Sequence, residues 1–141
     1  MKVDVIIPVY GPGNRLLELF DRLGRQTVPV DRLIIMNTEK YLWDKWTETL
    51  EPGRLPENLS VYHVTKEEFD HGATRNRGMR FSRADIVVFM TDDAVPADEF
   101  LIEKIMYKFI FVHEMCTISF RKTTTPWYLF FRVIQTLISL F

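Results

Sequence analysis

Two adjacent carboxylates, Asp92 and Asp93, follow an apolar run at residues 86–90, with Thr91 between the run and the acids. A run this short and this rich in β-branched residues predicts a strand buried on both faces of a parallel sheet. Open α/β sheets bind ligands at the carboxyl ends of their strands, so these acids stand where a ligand is expected. Hard oxygen ligands of this kind suit Mg2+ or Mn2+. The alternative is an acidic loop with Asp98 as a helix cap and no metal.

The segments that must position these acids alternate between strand-like and helix-like patterns. Short apolar runs predict strands at residues 3–10, 32–37, 59–64 and 86–90. Apolar residues at helical spacing predict helices at about 14–26, 41–50, 73–82 and 97–109, the first with Asn14 as its N-cap. This alternation predicts one α/β domain, with a mostly parallel sheet flanked by helices and joined by right-handed crossovers.

The predicted sheet would bring several polar segments to one edge. Three strands end at residues 8–11, 38–39 and 91–93, and the segment 70–76 reaches the same edge through the loop before a helix. One nucleotide can touch all of these segments there. Arginines at positions 75, 77, 80 and 83 are too many for one exposed face without a counterion, although scattered solvated arginines remain the alternative.

Length and composition exclude several classes of protein. A chain of 141 residues fits one domain, and its net charge of -1 gives no reason to expect nucleic acid as a partner. Its one cysteine, Cys116, cannot form an internal disulfide, and the N-terminus lacks a signal-peptide pattern, so we expect a cytoplasmic protein. The apolar stretch at 127–141 is shorter than the roughly 20 residues that span a bilayer, so we do not expect it to form a membrane-spanning helix.

Four motifs occur in a fixed order along the first part of the chain. They are IIPVYG at 6–11, MNTEK at 36–40, FDHGATRNRG at 69–78 and FMTDDAVP at 89–96. Their order and spacing resemble family 2 glycosyltransferases of the GT-A fold, and most closely the rhamnosyltransferase-like branch. The resemblance covers roughly residues 1–106. It implies a Rossmann-like half that binds a nucleoside diphosphate sugar.

The resemblance also implies a donor, an acceptor and a nucleoside-binding part. The donor would be dTDP-rhamnose or a UDP-sugar, and the acceptor would be a glycan or a lipid-linked glycan. Pro8, Val9 and Tyr10 would flank the base and ribose. Glu39 would accept hydrogen bonds from the base or the ribose.

The remaining residues implied by the resemblance surround the diphosphate and the sugar. Asp70, Arg75 and Asn76 would hold the sugar-phosphate region, and the planar guanidinium of Arg75 matches phosphate oxygens. Asp93 would ligate Mg2+ or Mn2+, and Asp92 would lie beside the ribose or the metal. In the inverting reaction of the family, the cation would stabilise the charge that grows on the leaving diphosphate.

The chain departs from the family pattern at two places. Thr91 stands where the DxD motif has its first acid, so the metal is assigned to Asp93. The family's acceptor-binding region and catalytic base lie beyond this chain, and the apolar tail at 107–141 does not resemble them. We therefore expect a truncated donor-binding half with no assigned catalytic residue. The tail would be part of the same domain or non-family sequence, and its apolar surface would favour self-association or contact with the inner face of a membrane.

Two other functions fit parts of the sequence. Glycines at 11 and 13 before a helix, with Glu39 as the acid on an adenosine ribose, fit a Rossmann-type dinucleotide-binding domain. However, Leu16 replaces the third glycine, and this alternative gives FDHGATRNRG and TDDA no function. The other alternative is a non-catalytic nucleotide-sugar-binding or assembly protein that uses its aromatic tail on a partner. Zinc is not expected, because His71 is the only histidine near the site.

Overall fold

The computed structural model describes residues 1–108. The predictions for the apolar tail, including self-association and membrane contact, lie outside the described residues from position 109 onward. No helix of the described part is long and apolar enough to cross a membrane. The sheet and the helices that pack on it belong to one compact unit, Met1–Ile105.

Strands and helices alternate along this unit. The strands are β1 (Val3–Tyr10), β2 (Arg32–Thr38), β3 (Leu59–Val64) and β4 (Ile86–Phe89). The helices are α1 (Asn14–Gly24), α2 (Lys40–Thr47) and α3 (His71–Phe81), followed by a helix at 101–108 that we number α4.

The four strands form one parallel sheet in the order β3-β2-β1-β4. Tyr10 of β1 pairs with Thr38 of β2, and Thr38 pairs with Val64 of β3, so these three strands end at the same level. On the other side of β1, Ile6 pairs with Phe89 of β4. The strand order therefore reverses between β1 and β4. This arrangement confirms the predicted α/β fold with a mostly parallel sheet.

Helix α3 contacts the sheet over β1 and β2. Beneath it lies a core of apolar side chains that are at most 4% exposed: Ile6, Ile34, Met36 and Val64. Burial of each such side chain contributes about 1.5–3 kcal/mol to stability. The helix approaches closely because Gly78 faces Ile6 and Met36. This packing fixes the position of the arginines on the same helix.

The amino-terminal edge of the sheet is closed by a buried carboxylate. Asp4 is 2% exposed and accepts hydrogen bonds from Arg32, at 3.3 Å, and from the Ser82 hydroxyl, at 2.7 Å. Arg32 also donates to the Phe81 carbonyl. A buried charge is tolerated only when it is paired in this way. The network joins β1, β2 and the end of α3, and it gives this edge a structural role.

Two predictions about individual elements need correction. Asn14 was expected to be the N-cap of α1, but the N-cap is Gly13, in an extended conformation without a side-chain hydrogen bond. The strand β4 was expected to be buried on both faces. Its residues alternate between buried and half-buried, because β4 is the outer strand of the sheet within residues 1–108.

The close approach of α3 to the sheet predicts that an added methyl group at Gly78 destabilises the fold. A Cβ atom at Gly78 would lie 2.8 Å from Cγ2 of Ile6, whereas one at Gly72 in the same helix would lie 3.4 Å from its nearest neighbour. Overpacking costs about 1–3 kcal/mol. We expect Gly78→Ala to be less stable than the control Gly72→Ala by about this amount, measured by urea unfolding. Equal stabilities of the two variants would contradict the proposed close contact.

Candidate functional site

The carboxyl-terminal edge of the sheet gathers most of the residues predicted to bind a ligand. The amide of Met90 donates to the Ile6 carbonyl at 3.0 Å, which continues the pairing of β4 with β1 beyond Phe89. Beyond Met90 the chain turns, with the Ala94 amide donating to the Thr91 carbonyl at 3.2 Å, and this turn carries Asp92 and Asp93. Adjacent strands lie about 4.8 Å apart, so the ends of β2, β1 and β4 span about 10 Å.

The three residues at the end of β1 are placed differently. Pro8 is half-buried, Val9 is 2% exposed, and Tyr10 is 56% exposed. The Val9 side chain therefore belongs to the core, and its backbone is the part that can face a ligand. The Tyr10 ring lies at the surface, where it can stack on a base or a sugar.

Asp92 and Asp93 have opposite electrostatic environments. A hydrogen bond from the Thr91 side chain, the backbone amide of Asp93 itself and the charge of Arg15 together lower the pKa of Asp93. Burial, opposed by a hydrogen bond to its own backbone, raises the pKa of Asp92, and the Asp93 charge adds to that rise. Asp93 is exposed and Asp92 is half-buried. Asp93 is therefore the carboxylate that is better suited to bind a cation.

Arg15 is a residue of this edge that the sequence analysis missed. It occupies the second position of α1, directly after the loop that leaves β1. Its charge acts on Asp93, which lies far away in the sequence. A single arginine at the start of an amphipathic helix gives no signal in the sequence, because its neighbour across the sheet edge is known only once β4 pairs with β1.

Glu39 follows β2 in a backbone conformation that is unusual for its residue type, with φ of 66°. Its amide donates to the Val64 carbonyl at 2.9 Å, and its Oε1 accepts from the Lys66 amide at 2.6 Å. The Asn37 side chain donates to its carbonyl at 3.1 Å. Left-handed conformations of non-glycine residues persist only where the surroundings enforce them, and they are frequent at functional sites.

A surface depression of about 290 Å³ lies beside Glu39. Its lining residues are Glu39, Lys40, Tyr41, His63, Val64, Thr65 and Glu68. Burial and the nearby charge of Lys40 lower the pKa of His63, although Asp44 opposes this shift. Nδ1 of His63 lies 3.1 Å from Nδ2 of Asn37, so His63 contacts a strand neighbour as predicted. The depression thus contains the His63 imidazole, whose neutral form is favoured, together with the Glu39 carboxylate.

Helix α3 and its N-cap carry the three residues predicted to hold the sugar-phosphate region, and these residues differ in their contacts and exposure. Asp70 is the N-cap, and its Oδ1 accepts from the Ala73 amide at 2.7 Å. Arg75 is half-buried, whereas Asn76 is exposed. A second depression of about 380 Å³ is lined by Ala73, Asn76, Arg77 and Arg80. Within residues 1–108, no hydrogen bond or ion pair joins Arg75 to Glu39 or Asp93.

The acids at this edge offer two adjacent carboxylates, Asp92 and Asp93, as candidate cation ligands. Within the described residues, no three histidine, cysteine, aspartate or glutamate side chains cluster in a way that would bind a metal. Mg2+ is usually held by one or two carboxylates and by phosphate oxygens of the substrate. Asp93, with its lowered pKa, and the adjacent Asp92 fit this donor set.

Comparison with known proteins decides which family the chain belongs to. Residues 4–138 match the glycosyl transferase family 2. The chain belongs to glycosyl transferase family 2. This match extends beyond residue 106, where the resemblance seen in the sequence ended. Membership of this family argues against the dinucleotide-binding alternative. The structure adds a second argument, because Leu16, at the position of the third glycine of that motif, is a buried core residue.

Two relatives are similar to this chain over about three quarters of its length. The chain is 31% identical over 110 residues to the O-antigen chain rhamnosyltransferase RfbN of Salmonella typhimurium, covering 77% of this chain and 33% of that protein. It is 28% identical over 107 residues to the O-antigen chain rhamnosyltransferase WbaN of Salmonella anatum, covering 74% of this chain and 32% of that protein. The chain thus spans about a third of the length of these relatives.

A solved structure supports the GT-A fold of this family 2 chain. The crystal structure of TarS 1-349 from S. aureus matches with a TM-score of 0.56 at 20% identity. The match covers 76% of this chain and 32% of that one. The predicted GT-A fold is therefore confirmed.

The position of Asp70 as an N-cap predicts that its carboxylate stabilises the fold of this family 2 domain without any ligand. Loss of an N-cap costs about 0.5–2 kcal/mol, and asparagine caps helices about as well as aspartate. We expect Asp70→Ala to lower the free energy of unfolding by about 1 kcal/mol, measured by urea unfolding without nucleotide. The control Asp70→Asn should stay close to the unsubstituted protein. An Asp70→Ala variant of unchanged stability would show that the cap contributes nothing.

Proposed function

We propose that this chain is the donor-binding part of a glycosyltransferase that uses a nucleoside diphosphate sugar. The observation that carries the proposal is the reversal of strand order between β1 and β4, with Tyr10 at the end of β1 and Asp93 in the turn that follows β4. Ligands of open parallel sheets bind in the crevice that such a reversal creates. The names of two relatives support rhamnose as the sugar, and a solved complex of TarS 1-349 with UDP-GlcNAc supports a nucleotide sugar.

The nucleoside would bind between the ends of β1 and β2. Tyr10 offers an exposed ring for stacking, and the backbone of Pro8 and Val9 lies beside it. Glu39 uses Oε1 for the Lys66 amide, and its second carboxylate oxygen can accept from a base or a ribose hydroxyl. The hydrogen bond from the Lys66 amide supports this role, because it orients the Glu39 carboxylate before a ligand arrives.

The diphosphate would lie between β1 and β4. Asp93, with Asp92 beside it, would hold Mg2+ or Mn2+, and such a cation supplies positive charge to the leaving diphosphate. The lowered pKa of Asp93 keeps this carboxylate charged and able to bind the cation. Arg75 would contribute a planar guanidinium to phosphate or sugar oxygens, with Asp70 and Asn76 on the same helix.

Inverting transfer also requires a base that removes the proton from the acceptor hydroxyl. The proposal assigns no such base. Glu103, an acid of α4, already accepts a hydrogen bond from the Thr27 hydroxyl at 2.8 Å. A glycan or lipid-linked acceptor is proposed because the relatives act on the O-antigen chain according to their names. A non-catalytic nucleotide-sugar-binding protein remains the alternative.

The proposal predicts metal-dependent binding of a nucleoside diphosphate at Asp93. We expect dTDP or UDP with Mn2+ to raise the melting temperature, because a ligand at 100 times its Kd stabilises by about 2.7 kcal/mol. The shift should disappear with EDTA. It should also disappear in Asp93→Asn, which removes one charge at nearly constant size. The measurement is a thermal-shift panel of dTDP, UDP, GDP and NAD.

A matched control for this panel is Asp85→Asn, because Asp85 is an exposed acid at the opposite edge of the sheet. It should keep the nucleotide-dependent shift of the unsubstituted protein. Stabilisation by NAD without a metal, together with no response to dTDP or UDP, would contradict the proposed function.

A further inference from the structure

Asn37 is a buried amide to which the proposed function gives no task. It is the next-to-last residue of β2, is 0% exposed, and pairs with Val9 of β1 and with His63 of β3. Its Nδ2 donates to the Glu39 carbonyl at 3.1 Å and lies 3.1 Å from Nδ1 of His63. The side chain therefore connects two neighbouring strands with the residue that is proposed to bind the nucleoside.

The two contacts of Nδ2 determine how the amide and the imidazole are oriented. An amide nitrogen carries two hydrogens, one for the Glu39 carbonyl and one for Nδ1 of His63. Nδ1 is then the accepting nitrogen of the ring, and the proton of the neutral imidazole lies on Nε2. Burial lowers the pKa of His63, which favours this neutral form. The opposite orientation of the amide would place its oxygen against the Glu39 carbonyl.

The remaining polar atom of Asn37, Oδ1, argues that the fold itself does not require asparagine at this position. Oδ1 is buried and accepts no hydrogen bond within residues 1–108. A buried acceptor without a partner lowers stability, whereas an apolar side chain of similar shape avoids this loss. The preceding residues of β2 from Leu33 to Met36 are apolar and buried. The amide is therefore explained by what it holds rather than by the packing of the strand.

Glu39 needs such support because its backbone conformation, with φ of 66°, is unfavourable for a residue with a side chain. Its amide donates to the Val64 carbonyl, and its Oε1 accepts from the Lys66 amide. Asn37 binds the third group, the Glu39 carbonyl. If this backbone changes, the Cβ atom of Glu39 moves, and the carboxylate moves away from the Lys66 amide with it.

We propose that Asn37 is a positioning residue for nucleoside binding: its amide, oriented by His63, holds the backbone from which the Glu39 carboxylate reaches the nucleoside. The proposal rests on the proposed function and adds to it a residue that does not touch the ligand. Because Asn37 is fully buried, its effect on a ligand must pass through Glu39.

The test is a double-mutant cycle of Asn37 and Glu39, with Kd for UDP and dTDP in the presence of Mn2+ measured by isothermal titration calorimetry. Asn37→Leu removes the amide at similar size. Glu39→Gln keeps an oxygen for the Lys66 amide but replaces the second acceptor by a donor. The control Asn58→Leu removes a comparable bond, from Nδ2 of Asn58 to the Val30 carbonyl at 2.9 Å, at the opposite edge of the sheet. Circular dichroism checks that each variant is folded.

We expect Glu39→Gln to weaken binding of the preferred nucleotide by about 10-fold, because it removes a hydrogen bond to a charged group. Asn37→Leu should weaken binding by about 5-fold, because a displaced carboxylate loses most of that hydrogen bond. In the Glu39→Gln background, Asn37→Leu should add less than about 2-fold, the usual error of additivity. Asn58→Leu should bind like the unsubstituted protein.

A measurement on the unsubstituted protein tests the hydrogen bonds directly and does not depend on the folding of any Asn37 variant. A two-bond 1H–15N NMR spectrum identifies which ring nitrogen of His63 carries the proton. We expect the proton on Nε2 at neutral pH. A proton on Nδ1 would overturn the proposal, because this nitrogen could then not accept from Asn37.

Three results of the cycle would overturn the role of Asn37 while leaving metal-dependent nucleotide binding intact. They are unchanged affinity of either single variant at positions 37 and 39, the same loss from Asn37→Leu in both backgrounds, and an equal loss in Asn58→Leu. The last result would mean that lower stability alone weakens binding. If the unsubstituted protein binds neither UDP nor dTDP, the proposed function itself fails, and the role of Asn37 fails with it.

Discussion

Parallel pairing of β1 with a strand on each side is the constraint on which the rest of the structure depends. Because the strands run in the same direction, every strand ends at one edge, and the chain must return through a helix each time. The opposite edge is occupied by the buried Asp4 and its partners Arg32 and Ser82. The two edges therefore have different tasks. One stabilises the domain, and the other is left for polar side chains that a ligand can use.

The polar edge is organised by charge as well as by topology. Neighbouring carboxylates in different environments acquire different pKa values, and such a difference assigns them different tasks. Here Asp93 is exposed and hydrogen-bonded, whereas Asp92 is partly desolvated. Arg15 adds a positive charge from another element. A crevice with both signs of charge suits a diphosphate that arrives with a cation, because the phosphates can be bound from both sides.

The sequence predicted the elements well, because their patterns are local. The bounds of β1 and β3 agree with the structure, since alternating or continuous apolar runs end at turn-forming residues. The N-terminus of α1 was wrong, because Gly13 takes the cap position and Asn14 becomes the first helical residue. Capping depends on the backbone conformation at one residue, which a preference for asparagine does not determine.

The site was harder to predict from the sequence, because it depends on which elements meet. The predicted residues at the ends of β1, β2 and β4 reach the same edge, as the parallel order requires. Asn76 lines a depression with Arg77 and Arg80, because helical spacing turns it away from its neighbour Arg75. Arg15 was missed for a related reason. Its proximity to Asp93 arises from the pairing of β1 with β4, and no motif encodes that pairing.

The most direct test of the shared edge is an NMR titration of the 15N-labelled protein with UDP or dTDP and Mg2+. The account predicts that amide shifts change at Tyr10, Glu39 and Asp93, which belong to three different parts of the chain. The amides of Lys2 and Asp31, at the opposite edge, should not move. Shift changes confined to one of these three segments, or centred on the edge around Asp4, would contradict the account.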